Sequence, residues 1–357
     1  MAMGPPVVDI SIGGALGAGC WTLTLPTEEV AMRLSLVTVL ATSLLLTLPL
    51  IPSAASQEHY PSRPVKVIVP YPAGGPTDVP ARLIASKLSA ALTGNFVVEN
   101  LPGAAGSLGA HAVGAAAADG YMLLAMNQDF VVQPLIKKSI SYDAANGFTP
   151  VNWVGAAPEA ILVNPSVPAR TLPELIALIK ANPGKYSYAT PGFGTTPHLA
   201  GERLFDLTYH LDITHVPYPG GAPAITSTMA GQTQILLITI GSVAPNLKDG
   251  SLRAIAVEST KRWPAFPDIP TLAESGLVGY DAEFIFGIMA PAGTPKNIVD
   301  LLSGAITEAV ASQYIKDHFD ALGLQPIGGG PTEFAAKLKE TSATWAKVVN
   351  EAGIKID

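Results

Sequence analysis

Three stretches of this sequence hold residue types that can grip a small anion: Tyr71-Pro72-Ala73-Gly74-Gly75-Pro76-Thr77-Asp78, Pro191-Gly192-Phe193-Gly194-Thr195-Thr196-Pro197-His198, and Tyr218-Pro219-Gly220-Gly221-Ala222-Pro223. Each lies between a short apolar run and a helical pattern. Glycine lets the main chain approach a ligand closely and take positive φ. A helix start offers unpaired N–H groups at the positive end of its dipole. Together they form an anion site that needs no lysine or arginine, and none of the three turns contains either. Threonine hydroxyls add donors. One such turn alone is an ordinary connection in an α/β protein; three with hydroxyls shift the balance toward binding. The one titratable base, His198, stands at a helix start, where the dipole disfavours its cation, so a neutral donor or acceptor is expected. Asp78 would repel an anionic ligand, so it is expected to cap the helix and fix the loop rather than touch ligand directly.

Other chemistry is thinner. Ala105-Gly106-Ser107-Leu108-Gly109 nearly forms a nucleophile elbow but lacks its first glycine,; an exported α/β hydrolase acting through Ser107 is therefore kept as an alternative. The six histidines, His59, His111, His198, His210, His215 and His318, include no i, i+4 pair and no HExxH,. No metal or cofactor is expected. The net charge of −7 and the lack of a basic run argue against nucleic acid as a partner,. Trp263, flanked by Arg262 and Lys261, lies in a turn that could be structural or face a partner.

The elements that must position these turns alternate. Val65–Val69 is a strand candidate, and Ile84, Leu88 and Leu92, four apart, mark an amphipathic helix over 79–92 with Pro80 in its first turn,. Strands follow at 96–99, 122–126, 161–163, 186–189, 213–216, 235–240, 252–257 and 284–289. Helices are expected at 172–181, opened by a Thr171/Glu174 capping box, and at 198–207, 222–229, 296–311 and 332–352. This trading of strand and helix gives an α/β class with mostly parallel sheets. Two long extended stretches, 151–164 and 280–291, read as crossings between two lobes, with a ligand cleft between them. The expected partition is lobe 1 over 56–160 and 284–357, and lobe 2 over 161–283.

The chain has 357 residues, and its first 55 read as leader. Met32-Arg33, the apolar run after it, and small residues at Ser53 and Ala55 form a secretory signal over 32–55, with Met32 as the expected start. The single cysteine, Cys20, falls before it, so the mature chain must hold together without disulfides.

The segments VIVPYPAGGPTDVPARLIASKL, VVENLPGAAGSLGAHAV, ADGYMLL, YATPGFGTTPHLAGERL, HVPYPGGAPAITSTMAGQ and LRAIAVESTKRWPAFPDIPTLAESG resemble the Bug family of periplasmic solute receptors of tripartite tricarboxylate transporters, in order and from about Tyr60 onward. The resemblance implies a two-lobed, type II-like periplasmic-binding-protein fold with a mixed, mostly parallel sheet in each lobe. It implies a small carboxylate as ligand (a di- or tricarboxylate, an acidic amino acid or an aromatic acid), gripped partly through water. It implies a monomer in a Gram-negative periplasm that delivers ligand to the permease subunits of an ion-gradient-driven transporter. Presentation of ligand to a sensor histidine kinase is the alternative. Carried over by position, the ligand-binding candidates are Tyr71, Pro72, Ala73, Gly74, Gly75, Thr77 and Asp78 in lobe 1. In lobe 2 they are Gly192, Gly194, Thr195, Thr196 and His198, with Tyr218, Gly220, Gly221 and Ala222. Asn127, Gln128 and Phe130 are expected to read the far end of the ligand. Leu101, Pro219 and Thr239 stand where the family often has an arginine, a lysine and an acid, which points to a less charged rim and a partly apolar or aromatic carboxylate.

Overall fold

The computed structural model describes residues 60–280 and 282–353; the leader and its expected signal lie outside the described residues. Strand β1 (Val65–Val69) leads into helix α1 (Asp78–Ala91), then β2 (Phe96–Asn100), α2 (Ser107–Gly114), β3 (Met122–Met126), α3 (Asp129–Ile136) and the long β4 (Phe148–Val163). The chain continues through α4 (Leu172–Lys180), β5 (Ser187–Thr190), α5 (Thr196–Gly201), a π-helical stretch (Glu202–Thr208), β6 (Thr214–Pro217), α6 (Gly221–Met229), β7 (Ile235–Thr239), α7 (Ala244–Lys248) and β8 (Arg253–Glu258). It returns through β9 (Glu283–Pro291), α8 (Lys296–Ala311), α9 (Gln313–Ala321), β10 (Gln325–Gly329) and α10 (Pro331–Ala352).

β4 changes partners along its length. Residues 148–158 pair antiparallel with β9, and β10 lies on part of the same stretch. From Glu159 onward β4 pairs antiparallel with β7 and β8. The strand order β2-β1-β3-β9-β4-β7-β5-β6 thus joins two half-sheets through one strand. Parallel pairing is confined to β2-β1-β3 and β7-β5-β6, where helical crossovers link the strands,. The crossing strands contribute the antiparallel pairs, so each half-sheet is mixed.

Alternate strand residues enter two different cores, because side chains along a strand point to opposite faces. Ile68, Leu124, Ile161 and Val163 pack into one; Val67, Val69, Leu123, Ala125, Ala160 and Leu162 pack into the other. Helices cover both faces, which is why these strands read as continuous apolar runs. α1 buries Ile84 and Leu88 in the second core, as their spacing predicts. Helix α10 lays Phe334 against β9 so closely that a Cβ on Gly287 would come within 2.1 Å of the ring. Among the described residues, no helix is long and apolar enough to cross a membrane.

Candidate functional site

The first turn leaves β1 and enters α1. Gly74 takes φ +78°, a conformation that favours glycine. Asp78 is the first helical residue rather than the N-cap; Thr77 holds the cap position and makes no side-chain cap bond. Asp78 instead reaches back, its carboxylate accepting Gly74 N at 2.8 Å, Arg82 Nε at 2.9 Å and Asn100 Nδ2 at 2.8 Å. Burial works to raise its pKa, but the bonds from Arg82, Gly74 and Asn100 together outweigh burial and pull it below the usual value,. Asp78 therefore holds the loop as an anion. Gly75 N–H and Thr77 N–H donate to no acceptor among the described residues. Thr77 Oγ1 is buried and has no hydrogen-bond partner, which is unusual for a buried hydroxyl. Pro72, Ala73 and Gly74 are exposed.

The β6–α6 turn stands opposite. A Cβ on Gly220 would lie 4.0 Å from Pro72 Cγ. Gly220 has φ +119° and its N–H returns to Pro191 O. The N–H groups of Gly221 and Ala222, at the start of α6, donate to no acceptor among the described residues. Tyr218 turns away: its hydroxyl pairs with Ser227 inside the same half of the molecule.

The β5–α5 turn is close to the β6–α6 turn, with the Cβ position of Gly192 3.5 Å from Tyr218 O, yet it differs in character. Gly194, Thr195, Thr196 and His198 are all buried, and their donors are used. Gly192 N donates to Thr190 Oγ1, Gly194 N to His198 Nδ1 at 3.2 Å, and Thr195 Oγ1 to Gly192 O. Burial lowers the His198 pKa to about 4, so the imidazole is neutral and accepts at Nδ1. It stacks on His215, whose pKa burial and the neighbouring imidazole lower to about 3.

What closes over this turn is helix α3. Asp129 Oδ1 accepts both Thr196 N, at 3.0 Å, and Thr196 Oγ1, at 2.8 Å. One helical turn on, Gln133 Nε2 donates to Gly194 O at 2.6 Å. Spacing of i, i+4 puts both side chains on one helix face, and that face clasps the two half-sheets together. Asn127 supports the clasp: its Oδ1 accepts Tyr71 OH at 2.6 Å and Asp129 N at 3.0 Å. Tyr71 thereby ties the first turn to the clasp. Burial, then the Asp129 charge, hold the Tyr71 hydroxyl well above its usual pKa.

The remaining candidates fall elsewhere. Phe130 stacks on Tyr142 and meets Phe148 edge-on within a core, so its ring packs rather than reads ligand. Gln128 bridges β4 and β9, donating to Glu159 Oε1 at 3.3 Å and accepting from Ile285 N. Ser107 opens α2 with its hydroxyl buried and unpartnered, without the hydrogen-bonded base a nucleophile needs,. Trp263 is buried and donates Nε1 to Gly323 O, a structural placement. Neither Asp129 nor Gln133 is among the residues expected from the sequence, because no helix is expected over 129–136 and the partners lie more than sixty residues away.

A family model described as tripartite tricarboxylate transporter family receptor matches residues 80–354. Protein BugT of Bordetella pertussis is 36% identical over 308 residues, which cover 86% of this chain and 94% of BugT. The solved structure of periplasmic binding protein BugD is similar at 33% identity and TM-score 0.77, over 83% of this chain and 99% of that one. R. palustris Rpa4515 with adipate is similar at 33% identity and TM-score 0.79, over 83% of this chain and 99% of that one. The two-lobed periplasmic-binding-protein architecture is common to these structures and this chain.

Proposed function

The chain belongs to the tripartite tricarboxylate transporter receptor family, whose members are solute-binding proteins rather than enzymes, and on that premise we propose that it captures a small carboxylate between its lobes in the periplasm and delivers it to an ion-gradient-driven membrane permease. The observation that carries the reading is two helix starts with unpartnered donors whose turns approach each other, the Cβ position of Gly220 lying 4.0 Å from Pro72 Cγ. Gly75 N–H, Thr77 N–H and the unpartnered Thr77 hydroxyl come from one side, and Gly221 N–H and Ala222 N–H from the other. Such donors favour an anion by dipole and hydrogen bond together. Rpa4515 with adipate is a relative whose ligand carries the same chemical group.

The lobes in this reading are 56–160 with 284–357, and 161–283. The exchange of β4 partners between Pro158 and Glu159 supports that division. Ligand held by amides of both lobes favours the closed state by its differential affinity. A thermal-shift screen with mono-, di- and tricarboxylates, aliphatic and aromatic, tests the reading, since a ligand that binds only the folded protein raises the melting point by mass action. At least one carboxylate should raise it in proportion to the logarithm of its concentration. A flat response to every carboxylate, with a shift from sugars or cationic solutes instead, would remove it. Delivery is tested by uptake of the identified ligand in cells with and without the cognate permease.

A further inference from the structure

We infer that Asp129 determines the charge pattern of the ligand: the protein selects a carboxylate that also carries an ammonium group, with the carboxylate on the open helix starts and the ammonium beside Asp129 and Gln133. The inference deepens the carboxylate-receptor reading above and rests on it.

The donors at the start of α5 would suit a ligand anion, but the protein's own carboxylate already occupies them. Asp129 Oδ1 takes both Thr196 N and Thr196 Oγ1. A ligand carboxylate is left with the first and third turns. Asp129 is almost fully buried, at 4% exposure, and makes no ion pair among the described residues. Lys137, the cation whose charge it feels, donates its Nζ to Ala104 O at 2.9 Å.

A second observation points to the ligand group that belongs there. Gln133 is fully buried and gives its Nε2 to Gly194 O, which leaves Oε1 as an acceptor, and that oxygen has no partner. Gln133 Oε1 thus stands as an uncompleted acceptor on the same helix face as Asp129, and what completes a buried acceptor is a donor-rich group,. An ammonium provides three donors and the opposite charge. A second carboxylate would bring more acceptors and meet Asp129 in a desolvated setting where like charges repel strongly. The influence of the Asp129 charge reaches Tyr71, Tyr142 and Glu159, all of which have raised pKa values in which burial is the first cause and that charge a further one.

The test compares dicarboxylates of three to six carbons with β-alanine, 4-aminobutyrate, 5-aminovalerate and 6-aminohexanoate, and with the α-amino acids alanine, leucine and phenylalanine. Each is titrated calorimetrically into the wild type and Asp129→Asn. Asparagine keeps an acceptor for Thr196 and removes the charge. The expected result is at least one amino carboxylate bound tenfold or more tighter than its length-matched dicarboxylate, with Asp129→Asn losing at least tenfold on the amino carboxylate and gaining on the dicarboxylate. Wild type that prefers a dicarboxylate, or an Asp129→Asn protein with unchanged preference, overturns the charge-pattern inference and leaves the carboxylate receptor standing. Binding of neither set, together with a flat screen of tricarboxylates and aromatic acids, overturns both. The wild-type comparison decides the question even where the variant fails to fold.

Discussion

The β1–α1 and β5–α5 turns share glycines, a threonine and a helix start, but the structure uses them differently. The first is exposed from Pro72 to Gly74 and keeps two amides and one buried hydroxyl without protein partners. The second is buried, and its donors already serve His198, Thr190, Gly192 and Asp129. A glycine-rich helix start is therefore a capacity, and the neighbouring side chains decide whether ligand or protein fills it. In the first turn the local acid, Asp78, fixes the loop through Gly74 N and leaves the next amides open. In the second, an acid from α3, Asp129, takes the helix start itself.

Valine at the two glycines should separate the turns most sharply. Gly74 and Gly194 both take φ +78°, where a side chain costs about 1–2 kcal/mol and a branched one resists more. A Cβ on Gly74 would touch nothing within 4 Å. Gly74→Val should therefore lower the melting temperature only slightly and reduce carboxylate affinity at least a hundredfold by calorimetry, because it reshapes the loop that aims Gly75 and Thr77. Gly194 has both its N–H and its carbonyl bonded in a buried setting, so Gly194→Val should lower the melting temperature far more. Equal melting temperatures for the two variants would erase the distinction.

Acid should loosen the second turn before the first. His198 is held near 4 and His215 near 3 in the folded protein, against about 6.5 unfolded. The unfolded state therefore binds more protons as pH falls from about 6.5 toward 4, and the stability that neutral His198 contributes, at most about 3 kcal/mol, is lost across that window. Asp129 and Glu159, raised chiefly by burial, bind protons more readily folded than unfolded and oppose this, so global melting blurs the effect. Amide exchange resolves it: protection over 194–199 should drop at least tenfold between pH 7 and pH 4.5, while α1 amides, behind an Asp78 held low, stay protected. Loss of protection in α1 first would invert the order.

Next in size is the hydroxyl contrast. Thr77→Val removes a buried hydroxyl with no partner, so the ligand-free protein should be as stable or slightly more so, while affinity falls about tenfold, or about 1.4 kcal/mol. Thr196→Val removes a bonded hydroxyl and should cost stability without ligand by about 1 kcal/mol. If Thr77→Val also destabilises the ligand-free protein, its hydroxyl is structural.

Much of this was legible from residue types. Ile84, Leu88 and the strand at 65–69 announced α1 and β1 by period alone, and the two long extended stretches are β4 and β9. The three turns stand out because glycine before a helix start has a local signature, with threonine added in the first two. The clasp had none. No helix is expected there, yet α3 forms because Phe130, Val131, Val132 and Ile136 are drawn into the core. Phe130, expected to read ligand, packs there instead. The N-cap was misplaced by one residue because Asp78 found better partners in Gly74, Arg82 and Asn100 than in its own helix start.

The smallest expected effect concerns the clasp. Gln133 Nε2 holds Gly194 O, joining α3 to the β5–α5 turn, but Gln133 Oε1 is buried without a partner, and that desolvation offsets part of the bond. A net hydrogen bond contributes about 1 kcal/mol, so Gln133→Ala should shift the open–closed equilibrium by less than that, up to about fivefold. Apparent affinity scales with the population of the competent state. Ligand binding should weaken by about threefold through faster release, and the ligand-free radius of gyration from X-ray scattering should rise slightly as the lobes part. Asp129, with two charge-assisted bonds to Thr196, should shift both readouts further when truncated to alanine. Were Gln133→Ala to leave scattering and affinity unchanged while Asp129→Ala moved both, closure would rest on the carboxylate alone, and the amide would be packing against a turn that Asp129 already holds.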